Sequence, residues 1–279
     1  VWVGRPDGGP VPGIAGYVST WHDACWETRE LVLTYDMILP AIRQDTQLQQ
    51  FLAAKASQYK LENPKSSFAD IRRNIEERIL IDCQTKRAKI NSNYPQTDVT
   101  IAFAKTALGW PDNRDEVLTI IGEIINRSTA VDGTTGEKGL SGYSALATRG
   151  LANLLAMYAR MDDSFLPDMF ARVPRLQEAF RFHMDAWCFQ RYYPSCGDAS
   201  AFCAPNERYV GVGLSSRPSV SPSMWTFLWQ IHEQTQDVRL VQTLYHQNKG
   251  SVKDLPYDLF TGDAERFQHQ VEQVIERVG

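Results

Sequence analysis

The chain has 279 residues, 43% of them hydrophobic, so it can bury a large core as one big domain or two ordinary ones. Its net charge of −4 argues against nucleic acid as the main partner, because phosphate backbones are usually bound by basic surfaces. The sequence contains no apolar run of about 18 residues, which argues against a membrane partner. The opening VWVGRPDGGPVPG lacks the pattern of a signal peptide. A removed signal and an internal piece of a longer chain fit this start equally well.

The five cysteines form no Cys-x-x-Cys pair, which argues against a structural zinc site. Cys196 and Cys203 flank a short loop and could form a disulfide in an oxidising compartment. The apolar neighbours of Cys83 and Cys188 fit buried free thiols equally well. The cysteines alone therefore leave the compartment open.

Residues 1–18 are rich in glycine and proline and are expected to form an extended surface segment. After them, helix caps, apolar residues spaced three and four apart, and proline or glycine stops predict one helix after another. A loop-rich stretch from 192 to 222 interrupts them, with RYVGVG as the only plausible strand. The expected helices cover about 19–39 (ended by Pro40), 46–61, 66–88, 96–108, 112–127, 143–161, 163–191 (broken at Pro174), 223–235, 237–246 and 264–278.

Consecutive helices with short connections pack as antiparallel neighbours. No repeat of fixed period is visible, which argues against TPR, ankyrin and HEAT arrays. The sequence therefore predicts an all-α fold with little or no β structure. The expected architecture is an incomplete (α/α) toroid of antiparallel helical hairpins over residues 19–279.

The stretch DGTTGEKGLSGYSALATRG, residues 132–150, is a glycine-rich polar approach to an apolar helix. Its glycines allow backbone conformations that other residues avoid, and Ser141 can accept hydrogen bonds from the first amides of the helix. Tyr143 is expected at the start of that helix, partly held and partly reachable. This is a useful position for a catalytic phenol.

Three segments occur in a set order: NSNYPQTDVTIAFAKTALG, DGTTGEKGLSGYSALATRGLANLLAMYARMD and YYPSCGDAS. Together they resemble the helical domain of polysaccharide lyases of the heparinase II/III-like and alginate-lyase-like group, over roughly residues 20–200. In this resemblance, Tyr143 matches the catalytic tyrosine of the group's motif and Asn93 matches its asparagine. Tyr94 stands where many members have a histidine.

Members of this group usually have a β-sandwich domain after the toroid, and this chain has no run of alternating strands. It is expected to be either an excerpt of a longer protein or a form without that domain. Bacterial lyases of this kind are usually exported, so the resemblance implies a periplasmic or extracellular location. The oligomeric state stays open.

The resemblance implies β-elimination on a uronic-acid polymer, an acidic polysaccharide substrate. The proton next to the uronate carboxylate is a poor acid, so its removal needs donors that offset the negative charge. Asn93 can donate two hydrogen bonds for this purpose, and an arginine could assist it. Tyr143 would remove the proton and return one to the leaving oxygen. No metal or other cofactor is required.

His22 and His183 rank first and second as assisting acid or base residues. His22 follows the glycine-rich opening, and His183 lies on an apolar, aromatic helix face. For each of them a structural role is the more common outcome. His232, His246 and His269 are expected at the surface of polar helices.

Aromatic and polar residues near the expected cleft are candidates for substrate binding. Indole and phenol rings stack on the apolar faces of sugars, and arginine binds carboxylates with two parallel hydrogen bonds. Trp225 and Trp229, at helical spacing, are expected in the core instead. The substrate-binding candidates are Tyr17, Trp21, Tyr94, Glu137, Arg149 and Asp198.

Two other functions compete with the lyase. An (α/α)-toroid glycoside hydrolase would need two carboxylates beside the scissile bond, and Asp132, Glu137 and Asp198 could supply them. A non-catalytic glycan-binding module would keep the toroid without the chemistry, and Tyr94 in place of histidine favours it slightly.

Overall fold

The computed structural model of the protein describes residues 21–129, 133, 143–189, 194, 222–255, 257 and 262–279. At a few helical positions, including Trp21, His22 and Tyr143, the description covers the backbone only. The predicted extended segment 1–18, the possible strand at 208–213 and the Cys196 and Cys203 pair lie outside the described residues.

The described residues are mostly helical and contain no strand longer than the single bridge residues Thr129 and Cys188, which confirms the all-α prediction. The toroid arrangement stays a prediction. A π turn, Glu76–Ile81, joins α3 to α4, and a 3-10 turn, Arg87–Ile90, follows α4. The α-helices are α1 (Trp21–Gln44), α2 (Thr46–Gln58), α3 (Phe68–Ile75), α4 (Asp82–Thr85), α5 (Gln96–Gly109), α6 (Arg114–Ser128), α7 (Tyr143–Met161), α8 (Phe165–Arg172), α9 (Leu176–Asp185), α10 (Pro222–Thr235), α11 (Val238–Gln247) and α12 (Ala264–Val278).

The chain divides into two compact units, the first ending at Ile121 and the second beginning at Gly122. In the first unit α1 packs along α5 and also contacts the 3-10 turn, and the π turn contacts α5. Buried apolar side chains from these elements form the core of the first unit: Val32, Tyr35, Leu80, Ile90, Val99, Ala102 and Phe103.

The first helix is longer than predicted, because Pro40 lies inside α1 instead of ending it. Proline removes one backbone donor and therefore frees the carbonyl group four residues earlier, at Asp36. Asp36 and Pro40 are both exposed, so that carbonyl can be satisfied by water. The helix continues for four more residues to Gln44.

The third helix begins as predicted, because the Ser67 side chain caps α3 by accepting from the Asp70 amide at 3.2 Å. The prediction of one unbroken α-helix as far as residue 88 is wrong. A π turn uses more residues per turn than an α-helix and so shifts the buried face. As a result Leu80 and Cys83 are fully buried, whereas Ile79 is only partly buried.

In the second unit α7 packs against α8, α9 and α10, and α11 packs against α9, α10 and α12. The rings of Tyr158 and Phe165 stack with centroids 5.1 Å apart. Trp225 and Trp229 are 3% and 8% exposed, which confirms their predicted place in the core. All of these contacts join helices of the second unit.

Two of the five cysteines, Cys25 and Cys83, are buried free thiols. The prediction for Cys83 is confirmed. Cys188 is an exposed free thiol, so the expectation that it is buried is wrong. The reason is that α9 ends at Asp185, and Cys188 lies beyond the helix face that packs into the core.

Within the part of the chain that the structure covers, no helix combines the length and apolar character needed to cross a membrane.

Changing Asp237 to alanine is expected to lower the free energy of unfolding by about 1–2 kcal/mol, as for other N-cap losses. The Asp237 carboxylate accepts from the Arg239 amide at the start of α11, at 3.1 Å, and pairs with the Arg239 guanidinium at 2.7 Å. Urea unfolding of the variant measures the loss. Asp237→Asn keeps the cap and should lose much less, because a partly exposed ion pair adds little. Equal losses for the two variants would contradict the capping role.

Lowering the pH should weaken the contact between the Asp237 carboxylate and Arg239. Burial acts to raise the pKa of Asp237, but its hydrogen bonds with Arg239 and the positive charge of Arg239 outweigh burial and lower that pKa. A lowered folded-state pKa gives stabilisation that is complete above the unfolded pKa of about 4 and is lost as the pH falls through the folded value.

Candidate functional site

Tyr143 is the first residue of α7, as the sequence predicts. The 19-residue helix that follows has a buried face that includes Ala147, Leu151 and Leu154. The Tyr143 side chain lies outside the description, as do Ser141 and the glycines at 136, 139 and 142.

Gly133 precedes α7 in the sequence and packs against α9. Its φ is +90°, a left-handed backbone conformation that residues other than glycine rarely adopt. A Cβ atom at this position would lie 2.0 Å from the Glu178 carbonyl oxygen and 2.9 Å from the Phe182 Cβ. The Gly133 backbone is therefore packed directly on α9, and only glycine fits there.

The first turns of α7 contact α9 as well, through a buried polar cluster of Ser144, Thr148 and His183. All three side chains are 0% exposed. The Thr148 hydroxyl donates to the Ser144 carbonyl at 3.1 Å, and its oxygen lies 3.5 Å from His183 Nε2. The ring of Phe182 meets the His183 ring edge to face at 5.4 Å.

Through these contacts, α9 packs against Gly133 in the glycine-rich stretch and against the start of α7 that follows this stretch. Glu178 and Phe182 of α9 lie against Gly133, and His183, the residue after Phe182, lies against Thr148 of α7. Tyr143 stands one residue before the buried Ser144. The backbone at Tyr143 therefore adjoins a buried contact between α7 and α9.

The role of His183 as an assisting acid or base stays a prediction, and the structure buries this side chain completely. A side chain with 0% exposure cannot meet a polymer in this conformation. Burial lowers the pKa of His183 to about 4, so the ring is neutral at neutral pH. The ring lies in the buried contact between α9 and the start of α7.

The stability of the protein should fall between pH 6.5 and 4 because of His183. The unfolded chain binds a proton at this residue with a pKa of about 6.5, while the folded protein binds it only near pH 4. Folding is therefore favoured fully above about pH 6.5 and loses about 2–3 kcal/mol as the pH falls to 4.5. Urea unfolding of wild type and His183→Gln at pH 7.5 and 4.5 tests this. An equal pH dependence for both proteins would contradict the assignment.

Asn93 and Tyr94 lie in the first unit, just before α5. The Asn93 carbonyl accepts from the Gln96 amide at 2.8 Å, and the Ser92 amide donates to the Thr97 hydroxyl at 3.0 Å. Asn93 and Tyr94 are both partly exposed. Their backbone is therefore fixed by the start of α5, while the side chains keep access to solvent.

The predicted site residues are distributed over both units. Asn93 and Tyr94 belong to the first unit, and Tyr143, Arg149 and His183 to the second. The structure joins His183 to the helix of Tyr143, and Arg149 is a partly exposed residue of the same helix. Trp21 and His22 begin α1 with their side chains undescribed, and Tyr17, Glu137 and Asp198, like Asp132, lie outside the described residues.

His232 is not at the surface, contrary to the prediction. It is 3% exposed, its Nδ1 lies 3.0 Å from the Asp237 carbonyl oxygen, and its ring is 5.1 Å from the Trp229 ring. The helical spacing of the sequence indicates this burial, because His232 follows the buried Leu228 by four residues and the buried Trp229 by three. His269 is exposed, as predicted.

A further charged residue, Arg29, was not singled out from the sequence, although it is 7% exposed and packs on α5. Its position four residues after the buried Cys25 places it on the core face of α1, which the helical period indicates. No group of three or more histidine, cysteine, aspartate or glutamate residues in the described ranges is arranged to hold a metal ion.

No protein-family profile, curated protein or solved structure matches the chain.

Proposed function

We propose that this protein is a polysaccharide lyase that cleaves a uronic-acid-containing polysaccharide by β-elimination. The observation that supports the proposal most is the place of Tyr143 at the first position of α7. The glycine-rich loop before it is packed on α9 at Gly133, and the buried Ser144, Thr148 and His183 hold the helix start after it. The order of the three sequence segments that resemble lyases supports the same chemistry.

In the proposed reaction the Tyr143 phenolate removes the proton on the carbon next to the uronate carboxylate. Hydrogen-bond donors at that carboxylate stabilise the negative charge that develops on it, which is the role that the resemblance implies for Asn93. The electron pair of the broken C–H bond forms a double bond, and the glycosidic oxygen of the neighbouring sugar leaves. The proton on Tyr143 then passes to the leaving oxygen, which restores the phenolate.

A phenol with an ordinary pKa of about 10 is a weak base at neutral pH, so nearby positive charge must stabilise its anion. The backbone amides at the start of a helix provide part of that charge, and Tyr143 stands at such a start. His183 is neutral and buried and contributes by position, through Thr148. The proposal places the protein in the periplasm or outside the cell, where acidic polysaccharides occur.

The test is incubation of the protein with alginate, heparan sulfate, hyaluronan and chondroitin while ultraviolet absorbance of unsaturated uronate ends is followed. A rise with one polymer supports the proposal and names the substrate. New reducing ends without absorbance would contradict it and favour hydrolysis by loop carboxylates such as Asp132, Glu137 and Asp198. Binding without either product would favour the non-catalytic module.

A further inference from the structure

Arg29 is a buried cation without a matching anion in the described part of the chain. Its side chain is 7% exposed, and burial acts to lower its pKa. No described carboxylate forms an ion pair with it, and the Glu30 carboxylate that influences it belongs to an exposed neighbour. Buried charges are usually paired because their transfer from water is costly. Core packing alone therefore does not account for a buried positive charge at Arg29.

The hydrogen bonds of Arg29 leave part of its guanidinium unused. Nη2 donates to the Gln96 carbonyl at 3.2 Å, to Gln96 Oε1 at 2.8 Å and to the Thr100 hydroxyl at 3.3 Å. Nε is buried and has no acceptor among the described residues. The acceptors present are neutral, so the positive charge is held in place but not neutralised.

The neighbouring thiol does not neutralise it either. Cys25 lies one helical turn before Arg29, and its Sγ is 3.2 Å from the Thr100 hydroxyl. Burial raises the pKa of Cys25, so the thiol carries its proton at neutral pH despite the nearby arginine. The cluster of Cys25, Arg29 and Thr100 therefore keeps a net positive charge.

Two aromatic rings and a helix start complete the surroundings of the guanidinium. The Arg29 Cζ atom is 4.8 Å from the Trp26 ring centroid and 5.8 Å from that of Phe103. Phe103 is 6% exposed, whereas Trp26 is 46% exposed and so offers an indole surface to solvent beside the cation. Gln96 is the first residue of the 14-residue α5, which has no side-chain cap, so its amides add positive potential here.

We propose that Trp26 and Arg29, at the start of α5, form a subsite for an acidic sugar, with the carboxylate on the Arg29 guanidinium and the pyranose ring against the Trp26 indole. Guanidinium groups suit carboxylates, and indoles suit the apolar faces of sugars. Asn93, whose carbonyl accepts from the Gln96 amide, adjoins this subsite along the chain. The choice of a sugar as ligand rests on the proposed function; the anion site rests on Arg29 itself.

The test is a titration of the ¹⁵N-labelled protein with sodium glucuronate, followed by NMR. Binding should shift the Arg29 Nε–H, the Trp26 indole N–H and the Gln96 amide resonances, while glucose should shift them far less. Arg29→Gln should weaken glucuronate binding on the order of tenfold, because a charge-assisted contact is lost. Trp26→Ala should weaken it roughly two- to tenfold through the lost stacking.

Arg43→Gln is the matched control, because Arg43 also lies on α1 over an aromatic ring, 5.4 Å from Phe68, but is exposed. Its glucuronate affinity should equal that of wild type. If Arg29→Gln does not fold, Trp26→Ala decides, since an exposed side chain can be removed without opening the core. Wild-type affinity in the Arg29 or Trp26 variants, or equal affinity for glucose, would overturn the subsite.

This experiment does not depend on cleavage. Glucuronate binding through Arg29 in a protein without lyase activity would remove the proposed function and retain the subsite. Lyase activity in a protein whose Arg29→Gln variant binds glucuronate normally would support the proposed function and overturn the subsite.

Discussion

Changing Tyr143 to phenylalanine is expected to lower the rate of polyuronate cleavage by about 10²–10⁴-fold, the usual contribution of a positioned acid or base. The variant lacks the single phenolic oxygen that removes the proton and then passes it to the leaving oxygen. The ring and its place at the start of α7 are retained. The measurement is the initial rise of ultraviolet absorbance with the polymer that the substrate panel identifies.

Loss of rate with unchanged affinity would locate the effect in the chemical step. The phenol acts in the transition state, so kcat should fall while polymer binding, measured by calorimetry, stays the same. Tyr59→Phe serves as control, because Tyr59 is 64% exposed at the end of α2 and should keep full activity. Full activity in Tyr143→Phe would remove this residue from the mechanism.

Changing Gly133 to alanine is expected to lower the free energy of unfolding by roughly 2–4 kcal/mol, from backbone strain and overpacking together. The added Cβ would stand 2.0 Å from the Glu178 carbonyl oxygen, and a backbone atom in a helix cannot move aside cheaply. The φ of +90° adds strain even where space exists. Urea unfolding followed by circular dichroism gives the change.

The same substitution should also reduce cleavage, because Gly133 joins the loop before Tyr143 to α9. Gly262→Ala is the matched control, since a Cβ at Gly262 meets nothing within 4 Å. Its stability should stay within about 0.5 kcal/mol of wild type, as for other surface substitutions. A Gly133→Ala protein as stable as Gly262→Ala would show that the loop does not pack on α9 as described.

Local rules of capping and spacing predicted most helix bounds from the sequence. Ser67, Asp237 and Asp263 each accept from an amide at the start of the next helix, as short polar side chains in such positions usually do. Tyr143 begins its helix as predicted, and Pro174 separates α8 from α9. These features depend on a few neighbouring residues, so the sequence alone indicates them.

Features that depend on distant partners could not be predicted in this way. Pro40 appears as a stop in the sequence, but its exposure allows α1 to continue. Arg29 looks like a solvated helix residue until α5 is placed on it, since its acceptors Gln96 and Thr100 lie 67 and 71 positions further along the chain. His183 was recognised as a candidate, but its depth under α7 depends on how α7 and α9 pack.

The π turn at Glu76–Ile81 also has an evolutionary meaning. Such a turn is equivalent to an α-helix that has accepted one inserted residue. Removing one residue from it would restore an ordinary helix and leave Leu80 and Cys83 facing the core, whereas an α-helix that kept the extra residue would rotate both away by about 100°. A relative without the turn would therefore align with this chain through a one-residue gap here, with its buried side chains one position earlier.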